Sequence, residues 1–242
     1  MEKSMCTSDR RNAACRIPQS VRNAAIIFLG LGVLVSHAQA QTVVMLGDST
    51  TQSNGSKPGA KLTDCVQANL LKHQIPATVI NSGKGGDTAK GACTRLAKDV
   101  FAHKPSVVTI SFGLNDTGKS TPKEYRASME QLIQSIQMNT QAKIVLVTST
   151  PFIDERHIWR DKFSQQGGID RFLDANMCAA MRDLAREQNL PLCDLHAHFL
   201  AAFKKDPALR DELIVPDGVH LSDRGNELAA GFVSEEIVKL LR

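Results

Sequence analysis

Several features that would point to a function at once are missing from this 242-residue chain. It has neither a GxGxxG nor a GxxxxGK(S/T) stretch, which leaves no sequence support for a dinucleotide or nucleoside-triphosphate cradle. Paired CxxC motifs are absent, which argues against a zinc finger or ribbon. The 16 glycines and nine prolines follow no period, excluding collagen-like and low-complexity sequence. No internal repeat and no linker interrupts the chain. Its 42% hydrophobic residues exclude a disordered chain, and the length suits one domain.

A run of about 20 apolar residues, enough to span a bilayer, is also lacking. The longest apolar stretch, Ala24 to Val35, is preceded by Arg10, Arg11, Arg16 and Arg22 and followed by Ser36-His37-Ala38-Gln39-Ala40. A basic start, a short apolar centre and an Ala-x-Ala end describe a secretory signal peptide cut after Ala40. No cysteine stands at that cut to take a lipid. Its removal takes five of the 29 Lys/Arg and two of the 25 Asp/Glu, leaving 24 against 23. A net charge of +1 with no basic cluster argues against nucleic acid as a partner. The expected product is residues 41–242, exported to the periplasm or medium, with no membrane insertion and a monomeric state.

Cys65, Cys93, Cys178 and Cys193 remain. An even number in an oxidising compartment predicts disulfides. Of three pairings, Cys65–Cys93 with Cys178–Cys193 closes the shortest loops and is preferred.

Apolar, β-branched runs at Thr42–Leu46, Thr78–Ile80, Val107–Ser111, Ile144–Thr148 and Leu190–Leu195 read as five strands. Helical spacing fills about 60–73, 88–101, 122–139, 169–188 and 222–241. Ser120-Thr121-Pro122 opens one helix, and Ser222, with Glu227 nearby, opens the last. Alternating strands and helices imply an α/β protein with a parallel sheet covered on both faces. Residues 151–168 carry no pattern and read as a long loop or lid.

In such sheets ligands bind beyond the carboxyl ends of the strands, and unusual residues stand there. Gly47-Asp48-Ser49-Thr50 follows the first strand and Asn81 to Thr88, with Gly83, Gly85 and Gly86, the second. Gly113-Leu114-Asn115-Asp116 follows the third, and Asp217-Gly218-Val219-His220 precedes the last helix. Each fragment alone is an ordinary turn or cap. Together and in this order they resemble the four blocks of the SGNH hydrolases, the GDSL esterase/lipase family, across nearly all of residues 41–242. Thr50 stands where the name-giving motif has Leu, and the Gly-Asp-Ser-Thr form looks closest to the rhamnogalacturonan acetylesterase-like branch. The resemblance implies a single-domain three-layer α/β/α sandwich with a five-stranded parallel, flavodoxin-like sheet. It also implies a serine esterase acting on short acyl esters, most simply O-acetyl groups on carbohydrate. A lysophospholipase or thioesterase of the same fold is the alternative, and a non-catalytic carbohydrate-binding protein a weaker one.

Residue chemistry leads the same way. Ester cleavage needs a nucleophile, a base, a group that orients the base, and oxyanion donors. Ser49, His220 and Asp217 fill the first three roles. The backbone N–H groups of Ser49 and Gly86 and the side-chain amide of Asn115 supply the donors, with Gly85 competing with Gly86 for register. Asp48 and Asp116 read as structural anchors. His196 and His198 form an His-x-His without a third ligand at a suggestive spacing, so neither metal nor cofactor is expected. His73 and His103 read as helix-end residues. Trp159, with Phe152, His157 and Phe163, either packs the 151–168 loop down or lines the substrate cleft. The glycosylation patterns at Asn54 and Asn115 read as accidental, since a glycan on Asn115 would block the site.

Overall fold

A computed structural model describes residues 41–242; the expected signal peptide lies outside the described residues. Five parallel strands form one sheet: β1 (Gln41–Gly47), β2 (Ala77–Gly83), β3 (Val107–Ser111), β4 (Lys143–Val147) and β5 (Leu192–Cys193). Their spatial order is β2-β1-β3-β4-β5. This is the doubly wound flavodoxin-like order, which changes direction at β1. The register pairs Val43 with Val79 and Val107, and Val107 with Lys143.

The strands read as continuous apolar runs because both faces are covered. Val44, Leu46, Val108, Ile110, Ile144 and Leu146 enter one core, while Val43, Met45, Val107, Val145 and Val147 enter the other. The period-two alternation of the strand decides which residue goes where.

In chain order the α-helices are α1 (Ser49–Gln52), α2 (Leu62–Lys72), α3 (Ala89–Cys93) and α4 (Leu96–Asp99). They continue with α5 (Leu114–Lys119), α6 (Pro122–Asn139), α7 (Ile169–Leu173), α8 (Ala179–Glu187), α9 (Leu195–Lys205), α10 (Leu209–Leu213) and α11 (Asp223–Leu241). Helices α3, α6 and α8 contribute Ala92, Met129, Leu132 and Leu184 to the first core. Helices α2, α9 and α11 contribute Val66, Phe199, Val233 and Ile237 to the second. The three-layer α/β/α sandwich expected from the pattern is the observed architecture.

Local chemistry accounts for most boundaries. Thr121 and Glu124 exchange hydrogen bonds in a full capping box, with Pro122 in the first turn, so α6 starts where its sequence predicts. Ser222 caps α11 by accepting from the Gly225 N–H; Glu227 takes no part in that cap. The helix expected over 88–101 is instead two short pieces. Arg95 interrupts it, its side chain reaching to Asp87, Asp99, the Ser82 carbonyl and the Gly47 carbonyl. Between α7 and α8 the backbone widens into one π turn, Asp174–Cys178. β5 is cut to two residues because Asp194 turns the chain into α9 as its N-cap.

The disulfide expectation fails. Cys65, Cys93, Cys178 and Cys193 are all free thiols, and the sheet explains why the preferred pairs do not form. Cys93 and Cys178 belong to the core on one face, Cys65 and Cys193 to the core on the other. Each short-loop pairing would have to cross a β-sheet. We expect peptide mapping of the denatured, unreduced protein to find all four alkylated, and the melting temperature to be insensitive to reductant. A disulfide-linked peptide containing any of the four would refute this.

Candidate active site

β1 delivers its last residues to the switch point of the sheet. Gly47 is required there by close approach: a Cβ would lie 2.1 Å from Thr51 Oγ1 and 2.9 Å from the Ser111 carbonyl. Asp48 then caps α1, its Oδ1 accepting from the Thr50 N–H at 3.0 Å and the Thr50 hydroxyl at 2.9 Å. Asp48 is buried, and burial raises its carboxyl above the usual range against those two hydrogen bonds. This anchor sets Ser49 as the first residue of a helix, its hydroxyl at the rim of the sheet.

The loop before α11 brings the imidazole to that hydroxyl. His220 Nε2 lies 2.9 Å from Ser49 Oγ, and His220 Nδ1 lies 2.6 Å from Asp217 Oδ2. Asp217 also organises its own loop, since Oδ1 accepts from the Val219 N–H (2.9 Å) and the His220 N–H (3.0 Å). Burial pushes the Asp217 carboxyl up. The hydrogen bonds from the His220 ring and from the two N–H groups outweigh it, and the net shift is downward. Asp217 therefore stays ionised at neutral pH and holds the ring with its proton on Nδ1 and its lone pair toward Ser49.

Asn115 sits in the first turn of α5, after β3. Its amide Nδ2 is buried and has no hydrogen-bond partner, an exception to the rule that buried donors are paired. Its neighbour Asp116 faces the other way. It is fully buried, and its carboxylate accepts from the Ala89 N–H at 3.1 Å, joining α5 to the start of α3. The distinction between the two neighbours is thus geometric: one amide is left without a partner and one carboxylate is consumed by the scaffold.

Burial raises the Asp116 carboxyl to about 7. Its protonated form favours the fold, so this contribution is whole below about pH 4 and is lost as pH rises through about 7, amounting to at most about 4 kcal/mol. Asp116→Asn keeps an acceptor for Ala89 and should remove that slope. We expect the wild-type melting temperature to fall relative to the variant's between about pH 5 and pH 8; parallel curves would refute the assignment.

The loop after β2 completes the rim. The Gly85 N–H is donated to Gln52 Oε1 at 2.9 Å. Gly86 turns through φ +72°, a left-handed conformation that favours glycine, and its carbonyl accepts from Lys119 Nζ at 2.7 Å. Gln52 and Lys119 thereby tie this loop to α1 and α5. Neither they nor Arg95 carries a sequence signal, because each acts on a backbone group distant in the chain.

The 151–168 loop docks on both sides of the site. The Ile153 N–H donates to the Gly218 carbonyl at 2.8 Å, and Lys162 Nζ donates to the Gly118 carbonyl at 2.9 Å. Trp159 packs against Gly118 and makes an edge contact with His157, centroids 5.1 Å apart, so its observed role is to pack the loop onto α5. His198 stacks on Phe232 at 3.9 Å, outside the site. His73 caps α2, and His103 ends a short 3-10 turn. Beside His220, between the Asn54–Ser56 turn and Asp223, runs an open groove of about 370 Å³.

Comparison with known proteins agrees with this fold. The description of the GDSL-like lipase/acylhydrolase family matches residues 45–228. The acetylxylan esterase of Geobacillus stearothermophilus is 26% identical over 219 residues, 81% of this chain and 94% of that protein. An uncharacterized lipoprotein of Bacillus subtilis (strain 168) is 26% identical over 206 residues, 76% of this chain and 84% of that protein. The crystal structure of a lipase/acylhydrolase from Enterococcus faecalis superposes with a TM-score of 0.66 at 25% identity, covering 84% of this chain and 97% of that one.

Proposed function

The chain belongs to the GDSL-like lipase/acylhydrolase family, and from that premise we propose that it is an exported serine esterase removing short acyl groups, acetyl above all, from carbohydrate. That it is a carboxylic ester hydrolase follows from the family and its esterase relatives. The observation that carries the mechanism is the continuous line from Asp217 through His220 to Ser49, with contacts of 2.6 and 2.9 Å.

Ser49 Oγ attacks the ester carbonyl carbon while His220 Nε2 takes its proton. The carbonyl oxygen becomes an oxyanion and accepts from the N–H groups of Ser49 and Gly86 and from Asn115 Nδ2. Gly86 is assigned over Gly85 because the Gly85 N–H is already spent on Gln52. Collapse breaks the bond to the alcohol oxygen, which leaves with the proton from His220. Water then attacks the acyl-enzyme, gives its proton to His220, and the acid departs as Ser49 is restored. Asp217 remains a carboxylate throughout and stabilises the imidazolium.

Support for the substrate comes from the acetylxylan esterase relative, the Gly-Asp-Ser-Thr form at 47–50 and the open groove beside His220, whose lining mixes Asn54, Ser56, Ser222 and Asp223 with Val215 and Leu221. Export rests on the residue pattern before Gln41 and on the lipoprotein relative. Among the described residues no helix is long and apolar enough to cross a membrane.

The test is hydrolysis of p-nitrophenyl esters from acetate to dodecanoate, with acetylated xylo-oligosaccharides alongside. Each methylene a shallow acyl site cannot hold should cost roughly ten-fold or more, so we expect rates to fall steeply after acetate or propionate. A maximum at octanoate or beyond would replace this substrate with a lipid or thioester.

A further inference from the structure

On the side of the first core, next to the 151–168 loop, the structure gathers a second set of reactive groups that the esterase chemistry does not use. Asp174 and Cys178 lie at the two ends of the π turn, and His196 lies in the first turn of α9. One ligand atom from each, a carboxylate oxygen, Sγ and Nδ1, falls within 4.8 Å of the others. π turns of this kind recur at functional sites.

The second observation concerns His196 itself, which is 1% exposed. Its Nε2 lies 3.1 Å from Asp170 Oδ1, so that nitrogen carries the proton. Its Nδ1 is buried without a hydrogen-bond partner and faces Asp174 Oδ1 at 3.4 Å. A neutral ring would set two lone pairs against each other in a site closed to solvent on the histidine side, which is unfavourable unless a proton or a metal cation stands between them.

We propose that Asp174, Cys178 and His196 form a binding site for a thiophilic divalent cation of the zinc class. Imidazole, thiolate and carboxylate are the donor set such ions take. As the metal–sulfur bond forms, the Cys178 S–H bond breaks and its proton leaves to solvent. Thiolate and carboxylate together neutralise the ion's two charges. Asp174 is half-exposed, so water supplies the fourth position.

The surroundings match what metal ligands need. A ligating histidine almost always donates its other N–H to a carboxylate or carbonyl, and Asp170 is in place for it. Arg182 Nη1 donates to Asp174 Oδ1 at 2.7 Å and Arg182 Nε to Asp194 Oδ2 at 2.7 Å. A carboxylate has about four lone-pair positions, so this bond orients Asp174 without exhausting it. Asp170 also accepts from the Phe152 N–H at 2.8 Å, so an ion here would tie α7, α9 and the start of the 151–168 loop together. The site is separate from Ser49 and serves stability rather than ester cleavage.

Cadmium is the probe, because its thiolate complex has an ultraviolet charge-transfer band. We expect the purified, chelator-treated protein to bind one Cd²⁺ per chain with that band, zinc to displace it, and both properties to vanish in Cys178→Ala. Zinc at about 100 times its dissociation constant should raise the melting temperature by roughly 5–10 °C in the wild type and not in Cys178→Ala. Circular dichroism checks that the variant is folded. His196→Asn should weaken binding while leaving the thiol in place. No band in the wild type would overturn the site. So would a band that survives Cys178→Ala, which would place the ion on another cysteine. Nitrogen NMR showing both His196 ring nitrogens protonated in zinc-treated protein would overturn it too.

Discussion

Replacing Ser49 by alanine should lower kcat on acetyl esters by about 10⁴–10⁶-fold with little change in KM or melting temperature. In the proposed mechanism the serine oxygen forms the acyl bond, and it lies 2.9 Å from His220 Nε2. His220→Ala should fall about as far. The double variant should be no worse than either single one, because two groups that act as a unit lose their effect together. Asp217→Ala should cost one or two orders of magnitude less, since the nucleophile and the imidazole base both remain. Retained turnover in Ser49→Ala would refute the nucleophile, and retained turnover in His220→Ala would refute the base.

The second large effect belongs to Asn115. Asn115→Ala should lower kcat by about 10²–10³-fold, the usual cost of one oxyanion donor, with KM nearly unchanged. Two readouts separate this from a folding defect. Asn115 Nδ2 bonds to nothing in the protein, so its removal breaks no scaffold contact and stability should move by no more than about 0.5 kcal/mol. Asp116→Ala, one residue along, should do the opposite. It empties a fully buried acceptor position and strands the Ala89 N–H, which costs roughly 1–3 kcal/mol. A Km-type defect at Asn115, or a melting temperature that drops as far as that of Asp116→Ala, would remove Asn115 from the oxyanion site.

Much of this was legible in the order of residues along the chain. The strands read directly as Val-Val-Met-Leu, Val-Val-Thr-Ile and Ile-Val-Leu-Val because a parallel sheet covered on both faces leaves no polar alternation to confuse them. Ser49, Asn115 and His220 were readable because each sits at a strand end or helix start whose local turn chemistry, Asp48 capping α1 and Asp217 closing its own loop, is written within three residues. Short helices such as α1 and α5 were not readable, since four to six residues carry no periodicity. The break at Arg95 escaped notice because its partners lie up to 48 residues away.

The cysteines mark the boundary most sharply. Their number and spacing favoured Cys65–Cys93 and Cys178–Cys193, yet each of those pairs is divided by the sheet. Side-chain alternation and crossover direction, not loop length, assign a residue to a face. The same holds for Gly85 and Gly86, adjacent and chemically alike, which only Gln52 tells apart. It holds again for Asp174, Cys178 and His196, which have no motif spacing and meet only because a widened helical turn packs against the start of α9. By itself the sequence determined the fold class, the order of the strands along the chain and the candidate groups for cutting an ester, all encoded in local periodicity and turn chemistry. Tertiary structure alone decided which faces and backbone groups those residues share, because that depends on contacts between segments tens of residues apart.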